Sequence, residues 1–170
     1  MMACLDVHYF EDKAQAAAIV FQDWKSSLSI SEYTATTINP AKYEPGRFFL
    51  RELHPLLTVI DNIVETIDCF VIDGYCYLSP DLTPGLGASL SESLVNNETI
   101  VGVAKNRFRD SKHAVELIRG KSTRPLFVTS IGIESAIAAQ YVASMTGKYR
   151  IPSLLKAVDQ LSRKHKEQFR

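Results

Sequence analysis

Two aspartates stand where carboxylates are out of place. Asp6 interrupts the short apolar segment 3–9, and Asp73 closes Cys69-Phe70-Val71-Ile72, an almost wholly apolar run. A carboxylate within or at the end of a buried strand is costly unless it is paired or holds a metal. Glu52 lies on the helical segment between them. Paired aspartates on neighbouring strands, with a glutamate nearby, suit oxygen coordination of Mg²⁺, with Mn²⁺ as a substitute. Such an ion polarises a phosphate and activates water for hydrolysis. The same residues also read as a turn at Asp73-Gly74 and a solvated edge residue at Asp6. Lys105 follows the buried run Gly102-Val103-Ala104. Its ammonium either neutralises developing phosphate charge or solvates a strand end.

Other chemistries find little support. The histidines are His8, His54, His113 and His165, and none has zinc spacing. His8 is two residues beyond Asp6 and shares its strand face. Cys4, Cys69 and Cys76 form no CxxC pair, so structural zinc is not expected and a reducing cytoplasm is the simplest setting. Gly85-Leu86-Gly87 lacks the third glycine of a dinucleotide fingerprint. The longest charge-free run, 135–147, is 13 residues, short of the roughly 20 that span a bilayer, so no membrane partner is expected.

Periodicity supplies the elements that must position these groups. Strands are expected over 3–9, 16–24 and 31–38, an antiparallel meander. The Pro/Gly-punctuated loop Tyr43-Glu44-Pro45-Gly46 follows. An amphipathic helix spans 48–65 and contains a potential bend at Pro55. Next come a central strand at 69–72, a helix at 85–96 and a buried strand at 99–104. Strands at 114–118 and 126–129 and helices at 134–145 and 154–165 complete the chain. The expected class is one α/β domain over 1–170, a mixed sheet with helices on both faces.

The net charge is zero, with 19 basic and 19 acidic residues. Taken alone, that argues against a nucleic-acid partner. The distribution reverses the argument. Residues 1–104 hold 5 basic and 14 acidic side chains, and residues 105–170 hold 14 and 5. Seven of the basic residues fall between Lys105 and Arg124: Lys105, Arg107, Arg109, Lys112, Arg119, Lys121 and Arg124. They read as a phosphate track or as a solvated loop.

Five segments, in order, resemble the endonuclease V family. They are Asp6-Val7-His8-Tyr9, then Tyr43-Glu44-Pro45-Gly46 running to Arg51-Glu52-Leu53, then Val71-Ile72-Asp73-Gly74, then Gly102-Val103-Ala104-Lys105. The fifth is Tyr149-Arg150-Ile151-Pro152 with Ala157, Asp159 and Ser162-Arg163. The resemblance implies a ribonuclease H-like fold and a Mg²⁺-dependent nuclease, in a short, divergent member. The implied partner is inosine-containing DNA or RNA, cut on the 3′ side of the lesion by a monomer. Asp6 and Asp73 would hold the metal, Glu52 would bind it or orient the water, and Lys105 would contact the phosphate. Tyr43, with Pro45 and Gly46, would form a wedge filling the gap left by the extruded base. Gly74 would let the chain pass close to that base, and Arg51, Arg107 and Arg109 are further candidate contacts.

The chain also departs from the family pattern. Ser79 stands where a histidine is usual, and Asp81 and Leu82 replace the arginines that follow. The segment Ser130-Ile131-Gly132-Ile133-Glu134-Ser135 lacks a second usual histidine. Glu134 is the candidate substitute ligand, or else a carboxylate meeting a helix dipole. Two other readings accompany the nuclease: a nucleic-acid-binding module with reduced catalysis, and a ribonuclease H-like nuclease with another substrate.

Overall fold

The first two strands form a tight hairpin. β1 (Met2–Phe10) and β2 (Lys13–Phe21) pair from Met2↔Phe21 to Phe10↔Lys13, leaving Glu11-Asp12 as the turn, with Glu11 at φ 40°. β2 therefore starts three residues before the 16–24 expected. Its Ala14-to-Phe21 stretch is buried throughout, so it shows no polar alternation to mark its ends. β3 (Ser31–Ile38) adds to it antiparallel.

The structure is a computed structural model describing residues 1–42, 44–45, 48–109 and 111–164. α1 (Phe48–Ile60) continues through Pro55 without breaking. It ends five residues before its apolar spacing does, because the chain turns at Asp61-Asn62 and leaves Val64 86% exposed. β4 (Cys69–Ile72), α2 (Leu86–Ser93), β5 (Thr99–Ala104), β6 (Val115–Leu117) and β7 (Leu126–Ile131) follow. α3 (Ser135–Ser144) and α4 (Ser153–Ser162) close the described chain.

One seven-stranded sheet has the order β3-β2-β1-β4-β5-β7-β6. β4 pairs parallel with β1 and β5, and the remaining pairs are antiparallel. Alternate residues of β1 serve opposite faces, as strand geometry requires. Ala3 and Leu5 join Leu56, Val59 and Leu90 beneath α1 and α2. Cys4 joins Ala138, Val142, Leu154 and Val158 beneath α3 and α4. The three cysteines are buried and free, and burial raises each thiol's pKa, to about 12 for Cys69 and Cys76. Among the described residues no helix is long and apolar enough to cross a membrane.

Candidate active site

The site arises where the central strands end at different points. β1 pairs with β4 only from Met2↔Cys69 to Leu5↔Ile72. Asp6 is thus the first β1 residue beyond that pairing, and Asp73 is the first residue after β4. β5 lies parallel beside β4, and Lys105 follows its last residue, Ala104. α1 brings Glu52 from one face, and α4 brings Asp159, with Arg163 just past its end, from the other. All six side chains line one cavity of about 480 Å³. The cavity also has an apolar side, which includes Phe49, Leu56, Leu78, Leu86 and Phe108.

The carboxylates are electrostatically crowded. Burial raises the Asp6 pKa to about 6, with the charges of Asp73 and Asp159 adding to the rise and the Ser162 hydrogen bond opposing it. Ser162 Oγ donates to Asp6 Oδ2 at 2.5 Å. Burial, then the charges of Asp73 and Asp6, raise Glu52 to about 8. Lys105 Nζ donates to Asp73 Oδ2 at 2.6 Å. Burial is the largest single influence and disfavours that ammonium, but the bond to Asp73 together with the charges of Asp73, Asp159 and Asp6 leaves its pKa above the ordinary lysine value. Both side chains of the pair are 40% exposed. A pair so open to water is worth about 1 kcal/mol or less, so an incoming group can exchange with it at small cost. Asp159 is held below the usual carboxylate range chiefly by Arg163, whose Nη2 lies 3.0 Å from Oδ1.

Backbone geometry fixes the approach to Asp73. Gly74 has φ 144°, a conformation that favours glycine. A Cβ on Gly102 would lie 2.5 Å from the Gly74 carbonyl oxygen, so the chain after Asp73 crosses β5 in close contact. Tyr75 then pins the next loop: its hydroxyl donates to the Asn106 carbonyl at 2.9 Å and accepts from the Phe108 amide at 3.0 Å.

Not every sequence candidate reaches the cavity. Glu134 is exposed and precedes α3 at the far end of β7. β7 is antiparallel to β5, with Ile131 opposite Ile100 and Phe127 opposite Ala104. The strand therefore carries Glu134 away from the Lys105 end, which corrects its assignment as a substitute ligand. Asp159 lies in the cavity instead. The sequence marked it only as part of the closing-helix match. Its signal is an acid beside the buried α4 stripe of Leu154, Val158 and Ser162.

The continuous basic track is also corrected. Arg119 is only 7% exposed and donates to four backbone carbonyls, those of Met145, Gly147, Tyr149 and Arg150. Arg107 pairs with Glu116, and Lys105 with Asp73. Arg107, Arg109 and Lys112 line a separate surface depression. Arg51 does not line the cavity; its guanidinium lies 3.9 Å from the Tyr9 ring centroid. Glu44 and Pro45 are exposed, whereas Tyr43 and Gly46 lie outside the described residues. His8 packs edge-on against Phe10, with ring centroids 4.6 Å apart. Ser79 hydrogen-bonds Thr83 within its loop.

Parallel strands β1, β4 and β5 at the centre of a mixed sheet, helices on both faces and carboxylates at the strand ends define a ribonuclease H-like protein. The Endonuclease V family model matches residues 1–160. The chain belongs to the endonuclease V family, a family of nucleases. It is 27% identical to endonuclease V of Pyrococcus horikoshii over 164 residues, covering 95% of this chain and 72% of that one. The crystal structure of endonuclease V from Streptomyces avermitilis aligns with TM-score 0.75 and 25% identity, covering 95% and 79% of the two chains. The Ciona intestinalis endonuclease V structure, in complex with DNA containing an inosine followed by a ribo-adenosine, shares the fold. Its TM-score is 0.77 at 18% identity, with 95% and 84% of the chains covered.

Proposed function

We propose that this chain is a Mg²⁺-dependent endonuclease for inosine-containing DNA or RNA that hydrolyses the phosphodiester on the 3′ side of the lesion. The observation that carries the reading is the meeting of Asp6, Glu52, Asp73 and Lys105 in one cavity with an apolar side. The family relation and the inosine-bearing strand in the Ciona complex support the substrate.

The donor set fits a hard divalent ion. Asp6, Glu52, Asp73 and Asp159 offer only oxygen, and repulsion between Asp6, Glu52 and Asp73 is relieved by positive charge. Among the described residues no three acidic, histidine or cysteine side chains stand together closely enough to hold a metal ion between them. Mg²⁺ needs no such group, because it keeps several waters and commonly takes one or two carboxylates plus substrate phosphate oxygens. Asp6 and Asp73 would hold the ion, and Glu52 would join them or orient the attacking water. Bound there, the ion would polarise the phosphate and lower the pKa of a water.

The chain's own groups supply the rest. Lys105 exchanges Asp73 for a phosphate oxygen and stabilises charge developing on it. Ser162 keeps Asp6 oriented. The apolar side of the cavity accepts a flat base, and Gly74 presents no side chain to obstruct it. Tyr43, Pro45 and Gly46 would wedge the vacated stack, with Arg51, Arg107 and Arg109 supporting the strand.

The test is cleavage of end-labelled oligonucleotides containing one inosine or one adenosine, as DNA and as RNA, with Mg²⁺ or Mn²⁺. Inosine-dependent nicking, mapped to the 3′ side and lost in folded Asp73→Ala, is expected. Salt-dependent binding without turnover under either metal would favour the binding-module reading. Equal cutting of inosine and adenosine strands would point to another substrate.

A further inference from the structure

Between Leu117 and Val158 the sequence has six basic residues and one acid, Glu134. That acid sits at the far end of β7, so the loops at the cavity end of this region carry positive charge alone. Two such loops, 118–125 and 145–152, are locked together. Arg119 Nη2 donates to the Met145 carbonyl at 2.6 Å, and Nη1 donates to the Tyr149 carbonyl at 2.7 Å. Gly120, at φ 62°, permits close approach: a Cβ there would lie 2.6 Å from the Lys148 carbonyl oxygen. Arg150 then ties the second loop to the cavity by donating to the Lys105 carbonyl and, at 2.7 Å, to the Pro125 carbonyl.

This clamp holds an aromatic ring out in water. Tyr149 is 64% exposed, and Lys148 Nζ lies 5.3 Å from its ring centroid. Lys121 and Arg124 are exposed on the facing loop. Arg124 also stands close enough to Arg150 for their like charges to repel. Burying a guanidinium to fix a loop is costly, and folding gains little from the exposed ring the loop presents. An aromatic side chain on a rigid backbone, among uncompensated cations, matches the chemistry that binds single-stranded nucleic acid. The base stacks on the ring and the phosphates meet the cations.

We propose that Tyr149, with Lys148, Lys121 and Arg124, forms a stacking platform for a nucleotide flanking the cleavage position on a single-stranded substrate. The inference rests on the nuclease reading and extends it to the strand outside the cavity. The Arg150 link to Lys105 places the platform beside the cavity, on its β5 side. Its contribution should therefore depend on one flank of the oligonucleotide only.

Fluorescence anisotropy tests this with inosine oligonucleotides, using Ca²⁺ in place of Mg²⁺ to withhold cleavage. One probe carries long flanks, one lacks the 5′ flank and one lacks the 3′ flank. Tyr149→Ala should weaken binding of the long probe by about tenfold to a hundredfold, the effect of losing one stacked base. Tyr149→Phe should bind as wild type. The weakening should disappear with one truncated probe and persist with the other. Lys148→Ala with Lys121→Ala should lower the salt dependence by about two phosphate contacts. Wild-type affinity for the long probe in Tyr149→Ala, or the same weakening with all three probes, overturns the platform. Failure of wild type to bind any probe overturns the nuclease reading, and the platform with it. Tyr149 is exposed, so matching thermal melts separate these outcomes from misfolding.

Discussion

Replacing Glu52 by glutamine should stabilise the metal-free protein while removing an acid of the proposed centre. In the unfolded chain this carboxyl titrates near 4.5, and in the folded protein burial and the charges of Asp73 and Asp6 raise it to about 8. Between those values the folded state holds a proton that the unfolded state has released. Stability then falls as pH rises, at about 1.4 kcal/mol per unit. From pH 4.5 to pH 7 the loss reaches about 3 kcal/mol. Glutamine has no charge to desolvate, so Glu52→Gln should gain about that much at pH 7, or roughly 6–12 °C in Tm for a chain of this size. At pH 4.5 the gain should vanish. Urea unfolding in EDTA, followed by the single tryptophan, reads it directly: Trp24 stacks on Tyr141 with ring centroids 5.2 Å apart. A variant no more stable than wild type at pH 7, or a difference unchanged between pH 4.5 and 7, would refute the crowding argument.

Two further substitutions test the supports of the site. Arg119→Ala leaves four backbone carbonyls without their donor and should cost about 3 kcal/mol or more, measured by denaturant unfolding, whereas Arg119→Lys should recover only part of the loss. Gly102→Ala places a methyl group 2.5 Å from the Gly74 carbonyl oxygen and 2.8 Å from Thr129 Oγ1. It should cost about 1–3 kcal/mol and reduce cleavage more than stability predicts, because the strain falls on the segment carrying Asp73.

Much of this arrangement was legible in the sequence, and particular residues show where legibility stops. β3, β4 and β5 fall where their composition put them. For β4 and β5, Asp73 and Lys105 mark the point where burial ends. β2 was displaced because a strand covered on both faces loses the polar alternation that marks its register. Asp6, Glu52, Asp73 and Lys105 were recognisable as acids and a cation at the edges of apolar elements. Only the ligand reading of Glu134 fails, because proximity to a motif in sequence says nothing about strand direction and β7 is antiparallel to β5; the residue stands instead at the N-terminus of α3. Neither reading of the basic run, phosphate track or solvated loop, anticipates Arg119, because composition cannot distinguish a guanidinium in water from one binding carbonyls. Asp159 was obscured because a helix face is shared among residues three and four apart, and its cavity partners come from other elements.

The zero net charge has a structural counterpart. The acidic half supplies Asp6, Glu52 and Asp73, and the basic half supplies Lys105 and the cations near Tyr149. The two halves meet at one end of one sheet.

In the proposed centre Asp6 and Asp73 share a divalent ion. Anomalous diffraction from a crystal soaked in Mn²⁺ tests it most directly. A peak between these two carboxylates, with Lys105 Nζ displaced from Asp73 Oδ2, is the expected result. No peak at the cavity at saturating Mn²⁺, with the Lys105–Asp73 pair intact, would contradict it.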